Sequence, residues 1–160
     1  MGIFEYAMQM EKDGENFYRG LAEKVSNKGV KTILTMLADE EVKHYEILSK
    51  AQSEEEKLPE TTILDDAKNV FMQMKEGAGE FDVGVGQVEL YREAQEIEKK
   101  SRGFYLEKSE QVEQGRHKEL FLQLAEEEKK HYFLLDNIIE FVSRPERWLE
   151  DAEFYHLEEY

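Results

Sequence analysis

Thr35-Met36-Leu37-Ala38-Asp39-Glu40-Glu41-Val42-Lys43-His44-Tyr45-Glu46-Ile47-Leu48 returns later in the chain as Leu122-Gln123-Leu124-Ala125-Glu126-Glu127-Glu128-Lys129-Lys130-His131-Tyr132-Phe133-Leu134-Leu135. Both stretches carry apolar residues at helical spacing and a Glu three positions before a His, which puts that pair on one helix face. Working outward, residues 7–48 align with 94–135 without a gap. Glu11 falls on Glu98, Phe17-Tyr18 on Phe104-Tyr105, and His44-Tyr45 on His131-Tyr132. Acidic helices align by accident, but seldom with uncommon residues such as His and Tyr in register. The chain is an internal duplication.

Each copy reads as a helical hairpin. Ala7, Met10, Phe17 and Leu21, then Leu34, Leu37, Ala38 and Leu48, recur at helical spacing. Breaks fall near Ser26-Asn27-Lys28-Gly29 and near Glu113-Gln114-Gly115, short enough to join antiparallel neighbours. The expected architecture is an all-α four-helix bundle made of two duplicated hairpins, about 3–52 and 87–142, in a single domain spanning 1–160. A long crossover of about 53–86 joins them. It carries a solvated linker and a short helix starting at Asp65 or Asp66 and ending near Lys75. Pro145 opens a short C-terminal helix, about 145–158, whose Trp148, Phe154 and Tyr155 are expected to cover the bundle, with a dimer contact as the alternative.

Composition narrows the function. The net charge of −16 argues against nucleic acid, whose phosphates need Lys and Arg. With no cysteine there is no disulfide, thiolate metal site, iron–sulfur cluster or thiol nucleophile in these residues. A hydrophobic content of 40%, with nine Phe and eight Tyr, separates the chain from acidic disordered sequences. No apolar run approaches the ~20 residues of a membrane span. Met1-Gly2-Ile3-Phe4-Glu5-Tyr6 lacks the basic start and apolar centre of a signal peptide, so the expected location is cytoplasmic, without a membrane partner.

Helix arithmetic then assembles a site. Glu11 lies about 22 Å of helix before the first turn, and Glu41 and His44 lie roughly 18–22 Å after it, at 1.5 Å per residue. Glu98, Glu128 and His131 repeat the arrangement. Packed together, the hairpins gather four carboxylates and two imidazoles in one layer. Without cations such a cluster is costly, through desolvation and mutual repulsion of the carboxylates. Two iron or manganese ions answer it, with two bridging and two terminal Glu and one His per metal; zinc also suits the donor set. Tyr18 and Tyr105, two turns after the first Glu of each hairpin, face the same layer and are placed to hydrogen-bond ligating carboxylates. The flanking acids Asp39, Glu40, Glu126 and Glu127 are expected in water, as is His117; Tyr45 and Tyr132 are assigned to core or rim. Glu153-Phe154-Tyr155-His156 has the same spacing but no repeat partner, and is set aside.

At Glu11…Tyr18…Glu41-x-x-His44 and Glu98…Tyr105…Glu128-x-x-His131 the chain resembles the ferritin-like superfamily, and within it the rubrerythrin-like diiron-carboxylate proteins. The resemblance implies a ferritin-like bundle, two iron ions as cofactor, and a diiron oxidoreductase reacting with hydrogen peroxide or dioxygen, as a peroxidase or ferroxidase in oxidative-stress defence. The expected assembly is a homodimer. Two departures stand out. Rubrerythrins typically carry a cysteine-ligated rubredoxin-like iron domain, so here electrons are expected from a separate donor protein. Rubrerythrins also bring a further Glu one turn after the third-helix ligand, where this chain has Ser101. That leaves a symmetric set closer to ferroxidase sites. The alternative is iron binding or storage of the ferritin type, which a twelve- or twenty-four-subunit particle would favour.

Overall fold

The computed structural model describes residues 2–51, 61–76 and 87–143. They form five α-helices: α1 (Ile3–Lys24), α2 (Lys28–Ala51), α3 (Ile63–Glu76), α4 (Val88–Ser109) and α5 (Gly115–Ser143). The architecture is all-α, as expected. The linker residues 52–60 and 77–86 and the expected terminal helix, with Trp148, Phe154 and His156, lie outside the described residues.

α1 and α2 make one antiparallel hairpin, α4 and α5 the other. The first turn takes three residues. Val25 is extended and buried, and the Asn27 side chain accepts the N–H of Val30 at 3.0 Å, which starts α2 with an N-cap. The crossover helix begins earlier than Asp65. Thr61 Oγ1 accepts the Ile63 N–H at 3.2 Å and Thr62 Oγ1 donates to Asp66 at 2.9 Å, so two threonines hold the helix start. Asp65 and Asp66 instead occupy the first turn, where their charge suits the helix dipole. α3 buries Ile63, Ala67 and Phe71, one stripe at i, i+4, i+8, against α2 and α5. Phe71 meets the edge of Phe141 at 5.3 Å.

Two apolar clusters fill the bundle. One gathers Phe4, Ala7, Ile47, Leu48, Tyr105, Leu120, Phe121 and Leu124. The other holds Tyr18, Leu21, Val30, Leu34, Leu37, Tyr91, Leu134 and Ile138, closed by α3. On each of the four long helices the residues between these clusters include the predicted Glu and His positions. A polar layer therefore cuts an otherwise dry core in two.

Candidate metal centre

All six predicted residues meet in that layer and are buried: Glu11, Glu41, His44, Glu98, Glu128 and His131 each expose 4% or less. They fall into two groups of four whose ligating atoms lie within 4.8 Å of one another. The first is Glu11, Glu41, His44 and Glu128; the second is Glu41, Glu98, Glu128 and His131. Glu41 and Glu128 belong to both. The two imidazoles lie nearly parallel, 8° apart with centroids 5.8 Å distant.

Helix geometry explains the convergence. Glu41 and His44 share a face of α2, one turn apart, and Glu128 and His131 share a face of α5. Gly14 lets α1 approach: a Cβ there would stand 3.3 Å from the Glu41 carboxylate carbon and one of its oxygens. A glycine inside a helix costs about 1 kcal/mol against alanine, and here it opens room for a ligand. Ser101 takes the corresponding position in the second repeat and is likewise buried.

The neighbours that hold these residues come from the opposite hairpin. Tyr18, on α1, donates its hydroxyl to Glu98 Oε1 on α4 at 2.5 Å. Tyr105, on α4, donates to Glu11 Oε1 on α1. Burial and the surrounding carboxylates push both phenols well above their usual pKa, so they remain donors. His44 Nε2 lies 2.7 Å from Glu127 Oε1, while Nδ1 faces Glu11 Oε2 and Glu128 Oε1, each at 3.3 Å. His131 turns Nε2 toward Glu40 at 3.7 Å and Nδ1 toward Glu98 and Glu41 at 3.4 and 3.5 Å. In both rings Nδ1 points into the layer and Nε2 points away from it.

Glu40 and Glu127 therefore correct the sequence reading, which placed them in water. Both are buried, along the seam between α2 and α5. The missed signal was spacing: each stands four residues before a His, as compatible with a shared face as three. Asp39 and Glu126 do stay exposed. His117 is also not a free surface residue. It is half-buried, edge-on to Phe4, and its Nε2 lies 2.8 Å from the Ala51 carbonyl, so that nitrogen carries the proton and ties α5 to the end of α2. Tyr45 and Tyr132 sit at the rim, exposed by 39% and 38%.

The buried groups of the layer shift one another's proton affinities. Burial raises the Glu41 and Glu128 carboxyls well above the carboxylate range, and the charges of Glu11 and Glu98 raise them further. Burial opposes ionisation of Glu11 too, but the charge of His44 and hydrogen bonds from its neighbours outweigh it and hold Glu11 at about 2. Glu98 is lowered in the same way by His131. Burial would depress both imidazoles, yet the carboxylates around them win and raise their pKa well above 6.5. Glu40, despite burial, is held at about 2 by the attraction of the His131 and His44 imidazoles and by the hydrogen bond from Thr61.

This donor set fits metal ions. Glu98 Oε2, Glu128 Oε1 and His131 Nδ1 are buried without a hydrogen-bond partner among the described residues, and all three residues belong to the second ligand group. Oxygen-rich sets with one imidazole per position suit iron or manganese.

Comparison with known proteins agrees with the geometry. A family model described as Rubrerythrin matches residues 2–139. Among solved structures, a hypothetical protein from Pyrococcus furiosus superposes with a TM-score of 0.65 at 25% identity, over 88% of each chain. A comparison with curated proteins finds no match. No helix among the described residues is long and apolar enough to cross a membrane.

Proposed function

The chain belongs to the rubrerythrin family, and from that premise we propose that it is a diiron-carboxylate oxidoreductase acting on hydrogen peroxide or dioxygen. The observation that carries the reading is the sharing of Glu41 and Glu128 between two otherwise separate ligand groups. Shared carboxylates hold two cations close together, which a two-electron reaction needs. Two ferrous ions bound there would supply the two electrons that, with two protons, reduce one hydrogen peroxide to two waters.

The chain's own residues do the rest. Glu11 and Glu98 are the terminal carboxylates. Tyr105 and Tyr18 each occupy the Oε1 of one of them, which leaves the Oε2 atoms for a cation. His44 and His131 offer Nδ1. The apolar clusters above and below keep bulk water out, which strengthens every charge interaction between them. Electrons to restore the ferrous state would come from outside these residues, which hold no cysteine for a thiolate-bound relay.

The test is metal content followed by single turnover. Protein loaded with ferrous iron under nitrogen should hold about two irons per chain and oxidise both with one equivalent of peroxide. Comparing peroxide with dioxygen identifies the preferred oxidant. Well-folded protein that takes up no iron would overturn the proposal.

A further inference from the structure

The duplication makes the two ligand groups chemically alike; the crossover connection makes them different. Behind His44, Glu127 Oε1 stands at 2.7 Å from Nε2, a strong hydrogen bond. Behind His131, the equivalent Glu40 Oε1 stands at 3.7 Å, beyond hydrogen-bond reach, and both ring nitrogens of His131 lack a hydrogen-bond partner. The cause is local. Glu40 Oε1, the oxygen that faces His131, accepts the hydroxyl of Thr61, and Glu40 Oε2 faces Lys43 at 3.4 Å. Thr61 is itself fixed, because its oxygen accepts the Ile63 N–H at the start of α3. The proton of that hydroxyl is therefore directed at Glu40. A surface cleft of about 130 Å³, lined by Asp39, Glu40, Lys43, Thr61, Thr62 and Asp66, opens on the same side. Glu127 shows the contrasting state: its second oxygen is buried with no hydrogen-bond partner, so nothing draws it away from His44.

We propose that the two metal positions are unequal, and that Thr61 sets the difference by holding Glu40 away from His131. The position built on Glu11 and His44 takes the first ion tightly. The position built on Glu98 and His131 takes the second more weakly. A carboxylate that accepts the far N–H of a ligating imidazole fixes the ring and raises the basicity of its other nitrogen; losing it typically costs 10–100-fold in metal affinity. Glu127, Glu40 and Thr61 are positioning residues, since they act through the imidazoles. The inference rests on the metal-binding reading above.

The experiment is a titration of the full metal-free chain with cobaltous chloride, followed by calorimetry and by the visible absorption of bound cobalt. Two steps about 10–100-fold apart in affinity are expected. Thr61→Val keeps the shape of the side chain and removes the hydroxyl. Glu40 is then free to close on His131, so the weaker step should tighten several-fold while the first stays in place. Glu127→Gln should instead weaken the first step and change its absorption. Thr61 is partly exposed, so its variant tests the idea even where a change at buried Glu127 compromises folding. Two equal affinities in the unmodified chain, or a Thr61→Val isotherm identical to it, overturn the inequality while leaving metal binding intact. No cobalt uptake by folded protein overturns the metal-binding reading and this inference with it.

Discussion

Loading the centre with metal should expel protons, and the structure bounds how many. The perturbation is the addition of two divalent ions to metal-free protein at about pH 6. Both imidazoles then carry a second proton, because their pKa values are raised well above 6.5 by the carboxylates that outweigh burial. Each must lose one proton to offer Nδ1 to a cation. Glu41 and Glu128 have raised pKa values as well, and any proton they hold leaves when they become shared ligands. Glu11, held at about 2, and Glu98, lowered, contribute none. The release is therefore between about two and about four protons per chain. By linkage the overall affinity for the pair of ions rises at least about a hundredfold from pH 6 to pH 7. Calorimetric titration in buffers of different ionisation enthalpy counts the protons directly. A release below one proton, or an affinity indifferent to pH, would refute the account of a proton-filled layer.

Further outcomes follow from the same geometry. Groups whose folded pKa is raised stabilise the fold below their ordinary values and lose that effect as pH climbs through the raised ones, so metal-free protein should melt at progressively lower temperature from about pH 6 to pH 9. Glu11 and Glu40 act in the opposite sense, their contribution fading as pH drops from 4.5 toward about 2, and metal-loaded protein should not show the alkaline loss. Glu41→Ala or Glu128→Ala should abolish uptake of both ions, whereas Glu11→Ala or Glu98→Ala should leave one, as elemental analysis would show. Tyr105→Phe should weaken the position built on Glu11 and Tyr18→Phe the position built on Glu98, each about 10-fold, in the same cobalt titration. Gly14→Ala should gain up to about 1 kcal/mol of helix propensity in metal-free protein, read by denaturant melts, while lowering metal affinity through the displaced Glu41.

The repeat was legible because it placed rare residues in register, and register plus helix rise is enough to bring Glu11, Glu41 and His44 to one height. The hairpin turns were legible from Asn27 and Gly115, whose local chemistry ends or starts helices without help from the rest of the fold. Three features were not. The helix start at Ile63 depends on Thr61 and Thr62, which compete as caps with the acids that follow, and local sequence favours neither. The role of Glu40 and Glu127 depends on which flank of α2 faces α5. A residue beside a ligand on an isolated helix looks solvated until the neighbouring helix covers it. His117 found its partner, the Ala51 carbonyl, in the other hairpin.

The misses share a cause that bears on why the chain is built as it is. Each candidate ligand group draws three residues from its own hairpin and one, Glu128 or Glu41, from the other. The groups that hold those ligands cross over as well: Tyr105 serves Glu11, Tyr18 serves Glu98, Glu127 serves His44, and Glu40 faces His131. A single hairpin thus carries most of a ligand set and none of these supports. Residues within one hairpin leave a periodic trace in the sequence, which is how Tyr18 and Tyr105 were found beside the layer; which carboxylate each support reaches across the interface leaves none, because no spacing links α1 to α4. The arrangement also makes the layer the place where the halves depend on each other. Without cations, several buried carboxylates face one another there and protons hold the balance. With cations bound, the same contacts would become ligand bonds that tie all four long helices together, which would make metal binding and association of the hairpins one free-energy change.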